Sequence, residues 1–408
     1  MLTLDTLRPT QQGGNVREVE ARSTISPKRH GGKKGEEELR AGGTMKGRYL
    51  RSCPIFRLLV LGSAACGFFW FSLVFFSKSG TEENSQSHLK KTAPVLMPQI
   101  CREKTTENIM KVYSQDWIKQ EDYITLLRSE LNNKCNGVVN AIVTQSNSPL
   151  GSNITYDAEK RITKVTPKLF DTFVKDSPFV NKTFKTCSVV GNGGVLVNSS
   201  CGEEIDSAQF VIRCNLAPVG SGYQRDVGTK TNLVTSNPSI LFNKFGSLME
   251  LRRPFVERLG TFGDSLLLFP TFSLIQNTAV SLRALYTVQD FRSPAQPVFM
   301  NPEYIRNLAR FWETRGLKKR LSTGIMMVSL ALELCDEVNL YGFWPYPQHP
   351  RDCRSLTNHY YDDMKAKSVH AMPVEFNRLL QLHTLGVIRL HLGDCSPRPK
   401  QTHLSFFL

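Results

Sequence analysis

Two histidines stand eleven residues apart late in the chain, each with a carboxylate nearby: His359 in Asn358-His359-Tyr360-Tyr361-Asp362, and His370 in His370-Ala-Met-Pro-Val-Glu375. Imidazole takes or gives a proton near neutral pH, and a carboxylate can fix its tautomer and orientation. The pair is a candidate for acid–base chemistry, against a plainer reading as surface or packing residues. Upstream, Leu321-Ser322-Thr323-Gly324 leads into an apolar run that ends at Cys335. A Ser or Thr there caps a buried helix, whose start offers N–H groups and the positive dipole end to a phosphate or carboxylate. An ordinary N-cap accounts for the same residues. Further upstream, Cys187-Ser-Val-Val190 ends in Gly191-Asn192-Gly193-Gly194. Glycines let backbone approach a ligand closely, and their N–H groups can face an anion; a tight turn explains them too. No His-x-x-x-His, zinc-type Cys-x-x-Cys or Asp-x-Asp occurs, so the residues give little support to a metal site.

These residues need elements to position them. Strand-like runs recur at 187–190, 210–214, 232–235, 265–269, 337–343 and 387–391. Between them lie helix-like stretches, including one from Pro302 to Arg315 that starts at the N-cap type Asn301. The alternation predicts an α/β layer fold with a mainly parallel sheet. From about 106 to 135 a helical pattern runs through Ile109, Val112, Trp117, Ile124 and Leu127.

With 408 residues the chain holds one large or two medium domains besides its tails. The net charge of +15 favours anionic partners. Nucleic acid is disfavoured by Leu58–Phe76, nineteen uncharged residues. As a helix they would extend about 28 Å, near the thickness of a bilayer core. Lys46, Arg48, Arg51 and Arg57 precede the run, and Glu82 and Glu83 follow it. The reading is a signal anchor at 55–77 with the N-terminus cytosolic and the bulk of the chain lumenal. Residues 1–54 then form a disordered cytosolic tail, 78–105 a stem, 106–395 the lumenal domain and 396–408 a loose tail. Met45 reads as an alternative or principal start. Sequons at Asn153, Asn181 and Asn198, with ten cysteines in the chain, fit a lumenal compartment. Sequence alone does not pair the cysteines.

Taken in order, these segments resemble the sialyltransferases, and most closely the α2,8-sialyltransferase group, over roughly residues 135–395. The large sialylmotif is similar to Cys187 through about Pro238, and the small motif to Arg320 through about Trp344. The third motif resembles Asn358–Asp362, and the very small motif His370 to Glu375. The segments around Asn147, Thr231 and Tyr341-Gly-Phe-Trp-Pro are most like type VI, with types I and V next.

The resemblance implies a GT-A-like modified Rossmann fold after a single transmembrane helix, in a type II Golgi membrane protein. It implies CMP-sialic acid as donor, no cofactor and no metal. The acceptor would be a sialylated glycoprotein O-glycan or a ganglioside, and a further partner class would be a homo- or hetero-oligomer with other Golgi transferases. By motif position, Asn192 and Asn215 would contact the CMP moiety. Ser322, Thr323 and Gly324 would hold the donor's anionic groups, and Trp344 would line the pocket. His359 would face the phosphate and His370 would be the general base. Disulfides would join Cys187 to Cys335 and Cys201 to Cys395, with Cys214 a buried thiol. The chain departs from its nearest relatives in carrying Asn358 where they have histidine, and in a loop one residue shorter between His359 and His370. Asn358 can hydrogen-bond the donor but carries no positive charge. These departures motivate a second reading, a non-catalytic donor-binding homologue that partners active transferases. A third, a nicotinamide-dependent oxidoreductase, fails because Gly191-Asn-Gly-Gly lacks the required glycine spacing.

Overall fold

Runs such as Phe210-Val-Ile212 and Leu266-Leu-Leu-Phe269 are too uniformly apolar for a strand with one wet face, and both are almost wholly buried. They lie inside a seven-stranded sheet. The computed structural model describes residues 104–365 and 368–395. The segments read from sequence as cytosolic tail, membrane anchor, nearly all of the stem and C-terminal tail, with Met45, fall outside the described residues. Among the described residues no helix is long and apolar enough to cross a membrane.

A small antiparallel pair, β1 (Asn153–Thr155) and β2 (Ile162–Lys164), precedes the main sheet. The main strands are β3 (Phe184–Val190), β4 (Phe210–Arg213), β5 (Leu233–Thr235), β6 (Leu266–Phe269), β7 (Gln296–Phe299), β8 (Cys335–Tyr341) and β9 (Arg389–His391). Their order is β7-β6-β5-β4-β3-β8-β9, and every neighbouring pair is parallel. The chain steps outward from β3 to β7, then returns to place β8 on the other side of β3. That reversal is a topological switch point, where open α/β sheets bind ligands beyond the carboxyl ends of the strands.

Successive residues serve opposite faces. Leu233, Leu268 and Val298 join one core with the Thr323–Leu334 helix, while Val234, Leu267 and Phe299 join another with Phe255 and Phe272. The Thr323–Leu334 helix is buried from Met327 onward, as its apolar sequence requires.

The sequence pattern over 106–135 is not one helix but two, Lys104–Tyr113 and Glu121–Lys134. The break has a tertiary cause: Trp117 Nε1 donates to the Ile388 carbonyl at 2.8 Å, and the Gln120 N–H to the Gly386 carbonyl at 3.1 Å. Both disulfides implied by the resemblance are present, Cys187–Cys335 and Cys201–Cys395. Cys353 is disulfide-bonded too. Cys135 and Cys214 are buried free thiols, and burial pushes each up to about 12.

One carboxyl is buried far from the proposed chemistry. Glu333 accepts from the Gly137 N–H at 2.7 Å and from Tyr304 Oη at 3.5 Å. Burial raises it from 4.5 to about 7. A raised carboxyl binds more protons folded than unfolded, so its stabilisation is full below about 4.5 and is lost as pH rises through about 7. The change is on the order of 3 kcal/mol. Glu333→Gln keeps an acceptor for Gly137 without a charge. It is expected to melt higher than wild type at pH 8 and to show a flatter Tm between pH 5 and 8; an unchanged pH slope would contradict this.

Candidate active site

The loops that leave β3, β4 and β8 at their carboxyl ends carry Asn192, Asn215, Trp344, Asn358, His359 and His370, while Ser322, Thr323 and Gly324 stand at the start of the Thr323–Leu334 helix. After β3, the Gly191 N–H donates to the Tyr341 carbonyl at 2.8 Å and the Gly193 N–H to the Gly342 carbonyl at 3.0 Å. These two N–H groups therefore do not face an anion, contrary to the first reading of the turn. The glycines serve close packing instead. A Cβ on Gly193 would lie 2.6 Å from the Gly342 oxygen, and one on Gly194 would lie 2.2 Å from the Thr357 oxygen. The turn is a seat on which the end of β8 and the loop bearing His359 both rest. The Tyr360 N–H donates to the Asn192 carbonyl at 2.9 Å, and Tyr360 Oη to the Pro218 carbonyl at 2.6 Å.

Two half-buried amides frame the cleft. Asn192 Nδ2 donates to the Cys214 carbonyl at 3.2 Å, which leaves its Oδ1 as an acceptor. Asn215 has φ 59°, a left-handed conformation that asparagine tolerates better than most residues. Its Oδ1 accepts from the Asn237 N–H at 3.0 Å, which leaves its Nδ2 as a donor.

Ser322 caps the Thr323–Leu334 helix by accepting from the Ile325 N–H at 3.3 Å. Its own N–H donates to Glu375 Oε1 at 2.8 Å, and its hydroxyl donates to Glu375 Oε2. Glu375 is 5% exposed, and burial raises its pKa despite these bonds. Two further first-turn amides, those of Thr323 and Gly324, lack an intrahelical acceptor by their position. Gly324 is packed beneath Phe343, whose Cε1 would lie 2.9 Å from an added Cβ.

The two histidines are oriented differently. His359 Nδ1 lies 2.7 Å from Asp362 Oδ1, its ring stacks on Tyr361, and Asn358 Nδ2 sits 3.3 Å from Nε2. His370 Nδ1 lies 2.9 Å from the Arg320 carbonyl oxygen. A carbonyl only accepts, so Nδ1 carries a proton, and in the neutral ring Nε2 is the nitrogen with the lone pair. A carboxylate thus orients His359, as its sequence neighbourhood anticipates. His370 is set by a backbone carbonyl, while Glu375 is occupied with Ser322.

Trp344 is 6% exposed, with its indole against Tyr346 and Phe376 and Nε1 donating to the Gln348 carbonyl at 2.7 Å. Asn153, Asn181 and Asn198 are all exposed. Among the described residues, one cluster has three metal-capable groups, Glu204, His391 and Cys395. The Cys395 sulfur is tied up in the disulfide to Cys201, so it offers no thiolate.

Asn237 is the residue that motif reading of single positions overlooked. Its signal in sequence was an Asn-Pro pair just after a strand, at the same edge as the two framing amides.

Comparison with known proteins agrees with this arrangement. Residues 133–387 match the model of glycosyltransferase family 29 (sialyltransferase). The human protein alpha-2,8-sialyltransferase 8E is 42% identical over 283 residues, 69% of this chain and 75% of its own length. Human alpha-2,8-sialyltransferase 8F is 41% identical over 290 residues, 70% of this chain and 73% of its own. A Xenopus tropicalis alpha-N-acetylneuraminide alpha-2,8-sialyltransferase is 43% identical over 289 residues, 69% of this chain and 82% of its own. The parallel sheet, the paired motif walls at its switch point and these matches together place the chain in glycosyltransferase family 29, the sialyltransferases.

Proposed function

We propose that this protein transfers sialic acid from CMP-sialic acid, in α2,8 linkage, to a terminal sialic acid on a glycoprotein O-glycan or a ganglioside. The linkage is that named for the relatives. The observation that carries the mechanism is the contact of His370 Nδ1 with the Arg320 carbonyl, which commits the Nδ1 proton there. Nε2 is then the base that takes the proton from the acceptor's 8-hydroxyl.

The acceptor oxygen attacks the anomeric carbon as the bond to the CMP phosphate breaks, and the β-linked donor gives an α product. Charge builds on the departing phosphate. His359 is held by Asp362 at Nδ1 and by the Asn358 amide at Nε2. It stabilises that charge once its protonated Nε2 turns from Asn358 to the phosphate, the Asn358 N–H₂ being then free to donate beside it. The first turn of the Thr323–Leu334 helix directs its positive end at the donor's anionic groups. Asn192 offers an acceptor and Asn215 a donor to the CMP moiety. Positioning and preorganised charge supply most of the acceleration.

The segment at 55–77 anchors the protein as a single-pass type II Golgi protein with residues 106–395 in the lumen. The uncharged run and its basic N-terminal flank support this reading.

Detergent-solubilised full-length protein, incubated with CMP-sialic acid and a glycan ending in α2,3-linked sialic acid, is expected to yield a product one sialic acid heavier. Linkage analysis should find α2,8. Donor binding without product would favour the non-catalytic reading, for which the amide of Asn358 beside His359 Nε2 is the motivating contact.

A further inference from the structure

Asn237 ends the loop after β5 and stands at the N-cap of the short Pro238–Asn243 helix. Asparagine at that position ordinarily turns its side chain back to accept an N–H of its own first turn. Elsewhere in this chain it does so: Asn301 caps the Pro302–Glu313 helix by accepting from the Glu303 N–H at 3.0 Å. Asn237 makes no such bond. Its Oδ1 instead accepts from Thr323 Oγ1 at 3.2 Å, a residue 86 positions away. Its backbone N–H donates to Asn215 Oδ1 at 3.0 Å. Pro238 keeps the Asn237 backbone extended, with φ −68° and ψ 141°, so the N–H direction is set by the chain itself.

Asn215 belongs to the wall that follows β4, and Thr323 opens the helix that forms the facing wall. No hydrogen bond among the described residues joins those two side chains directly. Asn237 is the joint between them. It takes up the Asn215 side-chain carbonyl oxygen, which leaves that amide's N–H₂ as the group available to a ligand. It also fixes the rotamer of the Thr323 hydroxyl at the helix start. A local capping bond is given up for a long-range one, and the long-range one runs between two ligand-facing residues.

We propose that Asn237 is a positioning residue that holds Asn215 and Thr323 in register for the nucleotide end of the donor. The proposal rests on the reading of this cleft as the donor site. It differs from a structural role because it concerns affinity for the nucleotide, not the integrity of the sheet.

The test uses full-length protein, with CMP as the probe and calorimetry as the readout, beside steady-state kinetics and thermal melts. Asn237→Ala and Thr323→Val are each expected to weaken CMP binding about tenfold, as loss of a shared hydrogen bond at a ligand site does. The double variant should be no weaker than the weaker single one, because the two side chains act through one bond. Thr323→Ser keeps the hydroxyl and should bind within about twofold of wild type. For Asn237→Ala the donor KM should rise about tenfold while kcat at saturating donor stays within about threefold. Unchanged CMP affinity in Asn237→Ala, or strictly additive losses in the double variant, would overturn the proposal. If Asn237→Ala does not fold, Thr323→Val against Thr323→Ser reads the same bond from its other end, and equal affinities for the two would overturn it. Wild-type protein that fails to bind CMP would overturn the donor-site reading, and this proposal with it.

Discussion

His370→Ala is expected to lower kcat by about a hundred- to ten-thousand-fold, the range that a positioned general base contributes. Donor affinity should hardly move, because no donor-facing group of the cleft depends on this imidazole for a hydrogen bond. The ring's single bond among the described residues is to the Arg320 carbonyl. His370→Asn sharpens the test. Its amide nitrogen falls near the place of Nδ1 and can still donate to that carbonyl, yet it supplies no base. Both variants should therefore be equally slow, while direct CMP binding matches wild type. A variant at either residue type that keeps more than a tenth of wild-type kcat would refute the assignment, since proton removal would then not run through His370.

The second large effect concerns stability. Replacing Cys187 and Cys335 together with alanine is expected to cost on the order of 4–5 kcal/mol in the chain-entropy account, given a closed loop of well over a hundred residues. The bridge spans 148 positions and joins neighbouring strands, Cys187 within β3 and Cys335 at the start of β8. At roughly 2–4 °C per kcal/mol for a domain of this size, Tm should fall by roughly 10–20 °C. Thermal melts of both proteins without reductant measure it. A fall of only a few degrees would mean that packing between β3 and β8 carries the pairing without the covalent tie.

Much of the architecture was legible because parallel strands buried on both faces leave uninterrupted apolar runs, as at 210–212 and 266–269. The strand Gln296–Phe299 was not legible. It is four residues long with Pro297 inside, which is tolerable because β7 is an edge strand. The Ile275–Asp290 helix was missed as well. It mixes polar and β-branched residues and lacks a side-chain cap. The 106–135 pattern misled for a different reason: its apolar spacing persists across a break enforced by bonds to residues 386–388.

At the site, motif order located the histidines, but not what each of them touches. The partner of His370 is the carbonyl of Arg320, and every residue has a carbonyl, so sequence carries no mark of it. Glu375 was legible as a carboxylate near His370. Its actual partners, the N–H and hydroxyl of Ser322, lie 53 positions upstream and depend on how two helix starts meet. The glycine turn was legible as close backbone approach, whereas which backbone approached was not. That required knowing that β8 returns beside β3.

That return also fixes a timetable for the nascent chain. β4, one neighbour of β3, is made almost at once, but the Cys335 end of β8 comes 148 positions after Cys187. At roughly 5–20 residues per second of synthesis, one edge of β3 stays unpaired for roughly 7–30 s. An open edge of that kind is a template for wrong partners. Over that interval the half-made chain carries an edge open to aggregation, and the cleft does not yet exist in any form, because one of its walls has not been synthesised.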